Sequence, residues 1–187
     1  MDNILVGREK EISKLRDVLD STQAEFLAVY GRRRVGKTYL IREFFLKKPG
    51  IFFQATGSRK GSLKKQLANF IQLVSETFLD GLELKVPVSW EEALKVLNKQ
   101  LIKVDEKVVV FIDELPWMAT RRSGLLEAID YYWNQYWSRM PNLVFIVCGS
   151  SASWLIKKII QFTIPINLPA FPLIRFPIRE YRLSWQF

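Results

Sequence analysis

One eight-residue segment constrains the fold of this chain more than any other part of its sequence. It is Gly31-Arg32-Arg33-Arg34-Val35-Gly36-Lys37-Thr38, which follows the phosphate-loop pattern of glycine, four residues, glycine, lysine and a hydroxyl residue. The glycines allow the backbone to curl so that successive N–H groups point at phosphate oxygens, and the following helix adds the positive end of its dipole. An apolar run at residues 26–30 precedes the segment, and helical periodicity over residues 37–47 follows it. The pattern predicts a strand, a phosphate-binding loop and a helix in succession.

The rest of the chain repeats this alternation of strand and helix. The predicted strands are residues 26–30, 51–55, 108–112 and 143–148. The predicted helices are residues 8–20, 37–47, 63–78, 125–140 and 152–160, and a further helix that opens after Ser89, with Glu92 in the position of a capping box. Strands that alternate with helices favour an α/β fold in which helices cover both faces of a parallel sheet.

Two residue counts exclude whole classes of chemistry. The chain contains no histidine and one cysteine, Cys148. A catalytic triad with histidine, a histidine-ligated metal, an internal disulfide and a cysteine-rich zinc site are therefore all ruled out within this chain. Cys148 lies in the predicted strand 143–148, where a small buried hydrophobe is favoured over a reactive thiol. The available chemistry is that of carboxylates, lysines, arginines, hydroxyls, backbone amides or a hard metal ion.

Two carboxylates stand directly after the predicted strand 108–112. Asp113 can hold Mg²⁺ through water, and Glu114 can orient and polarise an attacking water molecule. Taken alone they would be an ordinary acidic pair at the end of a strand, but downstream of a phosphate loop the functional interpretation is favoured. In that loop Lys37 can reach the β- and γ-phosphates, and Thr38 can ligate Mg²⁺. Together these residues predict a site that binds a nucleotide with Mg²⁺ and hydrolyses it.

A polar segment, Gly149-Ser150-Ser151, ends the fourth predicted strand. Where such a strand lies between the loop strand and the acidic strand, a polar residue at this point faces the γ-phosphate. Ser150 is the candidate for that sensor, with Ser151 as the reserve. A helix cap explains both serines equally well.

The chain is basic, with 28 lysines and arginines against 19 acidic residues and a net charge of +9. Part of the excess lies after Ser150 and part in the phosphate loop. The loop arginines Arg32, Arg33 and Arg34 are expected to project into solvent while the backbone faces phosphate. A face that binds nucleic acid and scattered surface charge account equally well for the remainder.

No apolar run approaches the roughly 18 residues that are needed to span a bilayer. The first residues lack the basic and then apolar layout of a signal peptide. We therefore expect a cytoplasmic protein without a membrane partner.

Four segments carry a family resemblance: residues 6–9 before the first helix, 30–38 around the phosphate loop, 111–117 and 147–154. In this order they resemble the prokaryotic AAA+ superfamily ATPases known as the archaeal ATPase family, over about residues 3–160. The resemblance implies the three-layer fold of P-loop NTPases, with the sensor strand between the loop strand and the acidic strand. It also implies that Val6 and Gly7 lie near the adenine of ATP, and it makes a second copy of the chain a candidate partner.

After residue 160 the sequence departs from that family pattern. Members usually continue with a glycine-rich stretch that carries an arginine, then a helical lid and a further domain. Here a proline-rich basic tail follows instead. We therefore expect an ATPase core over residues 1–160 that lacks the lid through truncation or a frame shift. In the tail, residues 161–187, we expect one edge strand at 164–168 and looser structure beyond it.

Two alternative functions stay open. A phosphate-loop kinase of a small molecule would have a similar length, although Glu114 beside Asp113 and the Gly7-Arg8-Glu9 box favour an ATPase. A nucleotide-dependent switch or module that binds nucleic acid with little turnover would explain the basic excess. Steep salt dependence of DNA binding would favour that second alternative.

Overall fold

The computed structural model describes residues 8–151, 153–155, 157–158 and 173–176. They form a three-layer α/β fold around a five-stranded sheet in which every pairing is parallel. The strands are β1 (Glu25–Gly31), β2 (Ile51–Thr56), β3 (Val108–Asp113), β4 (Leu143–Gly149) and β5 (Leu173–Phe176). Their order across the sheet is β2-β3-β4-β1-β5. The strand order that the family resemblance implies is therefore confirmed.

Six α-helices and one 3-10 turn lie in the described ranges with defined bounds. They are α1 (Glu9–Asp20), α2 (Lys37–Phe45), α3 (Leu63–Phe78), α4 (Trp90–Leu101), α5 (Leu115–Met118), α6 (Leu125–Gln135) and the 3-10 turn Trp137–Arg139. Residues 153–155 and 157–158 are also helical, inside the helix predicted at 152–160. Within these described segments, no helix has the length and apolar character that crossing a membrane requires.

The two faces of the sheet form two hydrophobic cores. Alternate residues of the central strands, among them Val109, Val144 and Ile146, pack with α1 and α2. The residues between them, such as Val110 and Phe145, pack with α3, α4 and α6. Every residue of β3 and β4 is buried because both faces are covered, and this explains why their sequences are continuous apolar runs.

The sheet register brings the ends of three strands to one edge. Tyr30 of β1 is level with Gly149 of β4, and Ile112 of β3 is level with Val147 of β4. Since all of these strands are parallel, the segments that follow β1, β3 and β4 emerge side by side. The phosphate loop, the acidic pair and the polar segment after β4 therefore meet at the carboxyl edge of the sheet.

The prediction of one continuous helix over residues 125–140 is wrong. α6 ends at Gln135, and the backbone breaks at Tyr136 before the 3-10 turn. The break allows Trp137 to bury its ring fully and to pack against Phe145 in a tilted arrangement, with ring centroids 5.0 Å apart. The indole N–H of Trp137 also donates a hydrogen bond to Asn98 Oδ1 over 2.9 Å. Tertiary packing of one large side chain thus overrides the helical periodicity.

The edge strand beside β1 differs from the predicted one. The predicted strand at 164–168 lies outside the described residues, whereas β5 pairs with β1 from Ala28↔Leu173 to Gly31↔Phe176. Sequence analysis expected no regular element so far along the tail, and that expectation is wrong for residues 173–176. Ile174 is buried among the residues that cover the α1 and α2 face. A four-residue strand is too short to show a periodicity in its sequence. The strand is identified only by its pairing with β1 in the structure.

We expect Gly50→Ala to lower the free energy of unfolding far more than Gly81→Ala. Both glycines have positive φ angles, +108° and +79°, and this region costs other residues about 1–2 kcal/mol. A Cβ at Gly50 would also collide with the carbonyl oxygen of Lys107, while one at Gly81 meets no described atom within 4 Å. Urea denaturation should show losses of more than about 3 kcal/mol and about 1 kcal/mol respectively. Equal losses would contradict the close approach at Gly50.

Candidate functional site

The phosphate loop wraps around the side chain of Lys37. Arg34 and Gly36 take left-handed conformations, with φ angles of +64° and +86°, which curl the backbone between β1 and α2. Lys37 is only 6% exposed, and its ammonium donates hydrogen bonds to the carbonyl oxygens of Gly31 and Arg32 over 2.9 and 2.8 Å. The first N–H groups of α2 have no intrahelical partner and add positive potential at the same place. The loop therefore holds a buried cation beside a helix N-terminus.

A hydrogen bond joins this loop to the end of β3. Thr38 Oγ1 donates to Asp113 Oδ2 over 2.9 Å, and the other oxygen, Oδ1, accepts from the backbone N–H of Glu114 over 3.0 Å. Asp113 is 4% exposed, and its carbonyl oxygen accepts from Gly57 N–H over 2.8 Å. A hydroxyl and a carboxylate in contact are the hard oxygen ligands that Mg²⁺ prefers. The residues predicted as metal ligands thus lie together and fit that ion.

Glu114 reaches the end of β4. Its own backbone is left-handed, with φ +49° and ψ +45°, a conformation that is strained for a residue with a Cβ. Its carboxylate oxygen Oε2 accepts a hydrogen bond from Ser150 Oγ over 3.3 Å. The structure therefore brings the predicted base and the predicted sensor into contact.

Ser151 occupies a different position from Ser150. It is exposed, and its carbonyl oxygen accepts the N–H of Leu155 over 3.0 Å, as the residue that opens a helical turn does. Ser150 therefore contacts Glu114 in the candidate site, and Ser151 opens the helical turn. The sensor role of Ser150 stays a prediction.

The three loop arginines are exposed, as expected from the sequence. Arg33 nevertheless has a partner that the sequence did not predict, since its guanidinium lies 4.7 Å from the ring centroid of Trp117. Such a stacked cation contributes about 0.5–1 kcal/mol at an exposed position. It connects the phosphate loop to α5, the turn that directly follows Glu114.

The start of α1 also contacts the phosphate loop. Arg8 donates to the carbonyl oxygen of Val35 over 2.9 Å and pairs with Glu11 over 3.1 Å. Val6 and Gly7, which the family resemblance places near the adenine, lie outside the described residues.

Gln66 is a site residue that sequence analysis missed. It is buried on α3, and its amide nitrogen donates to the carbonyl oxygens of Trp117 and Gly61 over 3.1 and 3.3 Å. Its amide oxygen accepts the N–H of Ser58 over 3.3 Å. The side chain therefore joins the loop after β2 to the turn after Glu114. A polar residue within the apolar stripe of α3 is the signal that could have identified it.

Cys148 lies at the carboxyl end of β4, behind the site. It is fully buried, and this burial raises the pKa of its thiol well above the ordinary value. The nearby negative charge of Asp113 raises the pKa further. The thiol is therefore a neutral packing group, as its sequence context indicated.

The strand order and the phosphate loop define the fold of the P-loop NTPases, with the AAA+ type of sheet. A family model described as an ATPase domain predominantly from Archaea matches residues 5–165. The chain belongs to this family of ATPase domains.

The chain is also similar to individual proteins. An uncharacterized protein of Methanocaldococcus jannaschii is 26% identical over 163 residues, which is 87% of this chain and 33% of the relative. The Walker-type ATPase of Pyrococcus abyssi is 24% identical at a TM-score of 0.57, covering 92% of this chain and 53% of that one.

Two further solved structures share the fold at lower identity. The ORC1 protein of Aeropyrum pernix, solved in complex with DNA, is 16% identical at a TM-score of 0.62. Cdc6p of Pyrobaculum aerophilum is 16% identical at a TM-score of 0.64. Each match covers 93% of this chain and 46% of the other. The chain thus spans a third of the curated relative and about half of the solved chains.

We expect Cys148 to resist thiol reagents until the protein unfolds. The thiol has no exposed surface, so a reagent reaches it only through an opening of the structure. Ellman's reagent at pH 8 should react at least about 100-fold more slowly with the native chain than in guanidinium chloride. Because the chain has one cysteine, the reaction with the reagent reports on Cys148 alone. Comparable rates in the two conditions would show that β4 is not buried as described.

Proposed function

We propose that this chain binds ATP at the phosphate loop and hydrolyses it to ADP and phosphate with Mg²⁺. The observation that carries the proposal is the 2.9 Å hydrogen bond between Thr38 and Asp113, which unites the phosphate loop with the acidic strand end. The family of ATPase domains and the AAA+ type of sheet support it. No specific feature of the described residues favours the kinase alternative.

Lys37 is the proposed cation for the β- and γ-phosphates. The carbonyl oxygens of Gly31 and Arg32 accept its protons in the structure. Phosphate oxygens carry more negative charge than these carbonyls and would replace them as acceptors. Because Lys37 is buried, solvent screens its charge less than that of a surface lysine.

Thr38 and Asp113 would hold Mg²⁺, and the oxygen ligands in contact at this point fit that ion. When bound, the ion neutralises charge that develops on the phosphate oxygens during transfer. The second Asp113 oxygen accepts the Glu114 N–H, which fixes the orientation of the carboxylate.

Glu114 is the proposed base. Its carboxylate would accept a proton from water as the water oxygen attacks the γ-phosphorus, while the bond from that phosphorus to the bridging oxygen of ADP breaks. Ser150 donates a hydrogen bond to this carboxylate and so limits its orientation. A role of the same hydroxyl at the γ-phosphate stays a prediction from the sequence.

The proposal extends to partners. Two neighbours in fold, the ORC1 protein of Aeropyrum pernix and a Drosophila ORC, were solved bound to DNA, which makes nucleic acid a reasonable partner for this chain. A second copy of the chain is a candidate on the family resemblance. The cytoplasmic location stays a prediction from the sequence.

Lys37→Ala should weaken ATP binding by about 10- to 100-fold, because a charged hydrogen bond to phosphate contributes roughly 1.5–3 kcal/mol. Calorimetric titration with ATP measures the affinity. Lys48→Ala is the matched control, since it removes an exposed lysine at the opposite edge of the sheet. Unchanged affinity in a folded Lys37→Ala chain, judged by its melting curve, would remove the proposed role.

Glu114→Gln should keep the ATP affinity of the wild type and lower phosphate release by about 100-fold or more. The amide fills the same space and still accepts a hydrogen bond, but it does not take a proton from water. A phosphate-release assay at saturating ATP provides the comparison. Equal rates in both chains would assign the base to another group.

Ser150→Ala and Ser151→Ala should have different effects although the residues are neighbours. Loss of the Ser150 hydroxyl frees the Glu114 carboxylate and should lower kcat by about tenfold with little change in KM. The Ser151 side chain is exposed, and its carbonyl makes the observed helical hydrogen bond, so its replacement should leave kcat near wild type. The opposite ranking would make Ser151 the sensor.

A further inference from the structure

The loops around the candidate site carry exposed charge of a single sign. Two loops, residues 31–36 and 57–62, follow β1 and β2 at the carboxyl edge of the sheet, and a third, residues 119–124, follows α5. None of the three contains an acidic residue. Their seven basic residues are all exposed: Arg32, Arg33, Arg34, Arg59, Lys60, Arg121 and Arg122. We call these seven residues the cationic rim. The carboxylates at this edge, Asp113 and Glu114, are turned into the site by the hydrogen bonds described above.

The opposite edge of the sheet has a mixed charge. The loops that precede β2 and β3, residues 46–50 and 102–107, contain four lysines together with Asp105 and Glu106. One of these lysines, Lys107, donates hydrogen bonds to the carbonyl oxygens of Ser21 and Pro141, so it is engaged within the fold. The basic excess of the described chain is therefore concentrated at the edge that holds the candidate site.

Direct contacts connect the three loops into one surface. Arg33 of the first loop stacks on Trp117, in the turn that leads into the third loop. The side-chain amide of Gln66 donates hydrogen bonds to the carbonyl oxygens of Trp117 and of Gly61 in the second loop, and so links the two segments. A Cβ on Gly57 would lie 2.6 Å from the carbonyl oxygen of Glu114, which shows how closely the second loop packs against this turn.

Among the described residues, no carboxylate forms an ion pair with a member of the rim. Arg8 pairs with Glu11 and Lys47 pairs with Glu43, and neither of these two ion pairs involves the rim. An acidic side chain beside the rim is Glu127, in the first turn of α6. It lines a cavity of about 200 Å³ together with Arg121. Seven cations at one edge repel one another and would be relieved by an anionic partner.

The chemistry of the rim favours phosphate over a protein surface. Six of its seven members are arginines, whose planar guanidinium matches phosphate oxygens with paired hydrogen bonds. Protein interfaces need large apolar anchors at their centre. The exposed large hydrophobic residues of the described chain all lie outside the three loops.

We propose that the cationic rim binds the phosphate backbone of a nucleic acid, next to the nucleotide held at the same edge. The contacts are to phosphates and therefore carry no base sequence preference of their own. This inference rests on the nucleic-acid partner of the proposed function and assigns it a surface, and binding of this kind does not require ATP hydrolysis.

The test measures the binding of fluorescein-labelled single-stranded and duplex oligonucleotides to the 187-residue chain by anisotropy, between about 50 and 200 mM KCl. Two double variants remove rim charge, Arg59→Gln with Lys60→Gln, and Arg121→Gln with Arg122→Gln. The matched control is Lys47→Gln with Lys48→Gln, which removes the same charge from the loop at the other end of β2. Each rim variant should weaken binding by about tenfold and reduce the slope of log affinity against log salt by about 2. The control should bind like the wild type.

Three results would overturn the proposal. They are the absence of nucleic-acid binding by the wild-type chain, equal losses in the rim and control variants, and binding of polyglutamate as tight as that of the oligonucleotides. Melting curves of the same variants report folding, so this control does not depend on ATP binding. Whether or not the rim variants weaken nucleic-acid binding, the Lys37→Ala titration still tests ATP binding by itself. Two rim variants are used so that one remains informative if the other does not fold.

Discussion

The hydrogen bond from Thr38 to Asp113 joins residues 75 positions apart in the chain and depends on the whole sheet. Thr38 is placed by the end of β1 and Asp113 by the end of β3, and β4 pairs with both strands. Any change in the order or register of these strands would separate the hydroxyl from the carboxylate. The buried cores on both faces therefore stabilise a contact that lies at the edge of the sheet.

The same geometry separates two kinds of positive charge. Lys37 lies inside the phosphate loop, buried and bonded to backbone carbonyls, where a bound phosphate would meet it directly. The side chains of the rim arginines, three of which belong to the loop itself, are exposed to solvent. Two of the three described non-glycine residues with positive φ, Arg34 and Glu114, belong to this edge. Strain of this kind is common where a backbone is shaped for binding rather than for stability.

Sequence alone predicted the elements that rest on local patterns. The phosphate loop, the four long strands and the placement of Asp113 and Glu114 at a strand end each follow from a short run of residues. The order of the strands did not follow from such patterns and came from the family resemblance. The burial of Cys148 was predictable because it lies within a continuous apolar run.

The remaining features depend on contacts between distant segments. Gln66 joins two loops that are far apart in sequence, and Arg33 finds Trp117 only after the sheet has formed. The end of α6 is set by the packing of Trp137, and β5 is defined by its pairing with β1. No periodicity in the local sequence contains that information.

The most direct test of the central claim is calorimetric titration of the wild-type chain and of Asp113→Asn with ATP, with and without Mg²⁺. If Thr38 and Asp113 complete a metal site beside the phosphate loop, the wild type binds ATP, and Mg²⁺ tightens that binding by about tenfold or more, while Asp113→Asn loses most of the tightening. Absence of ATP binding by the folded wild type, or the same response to Mg²⁺ in both chains, would contradict the account.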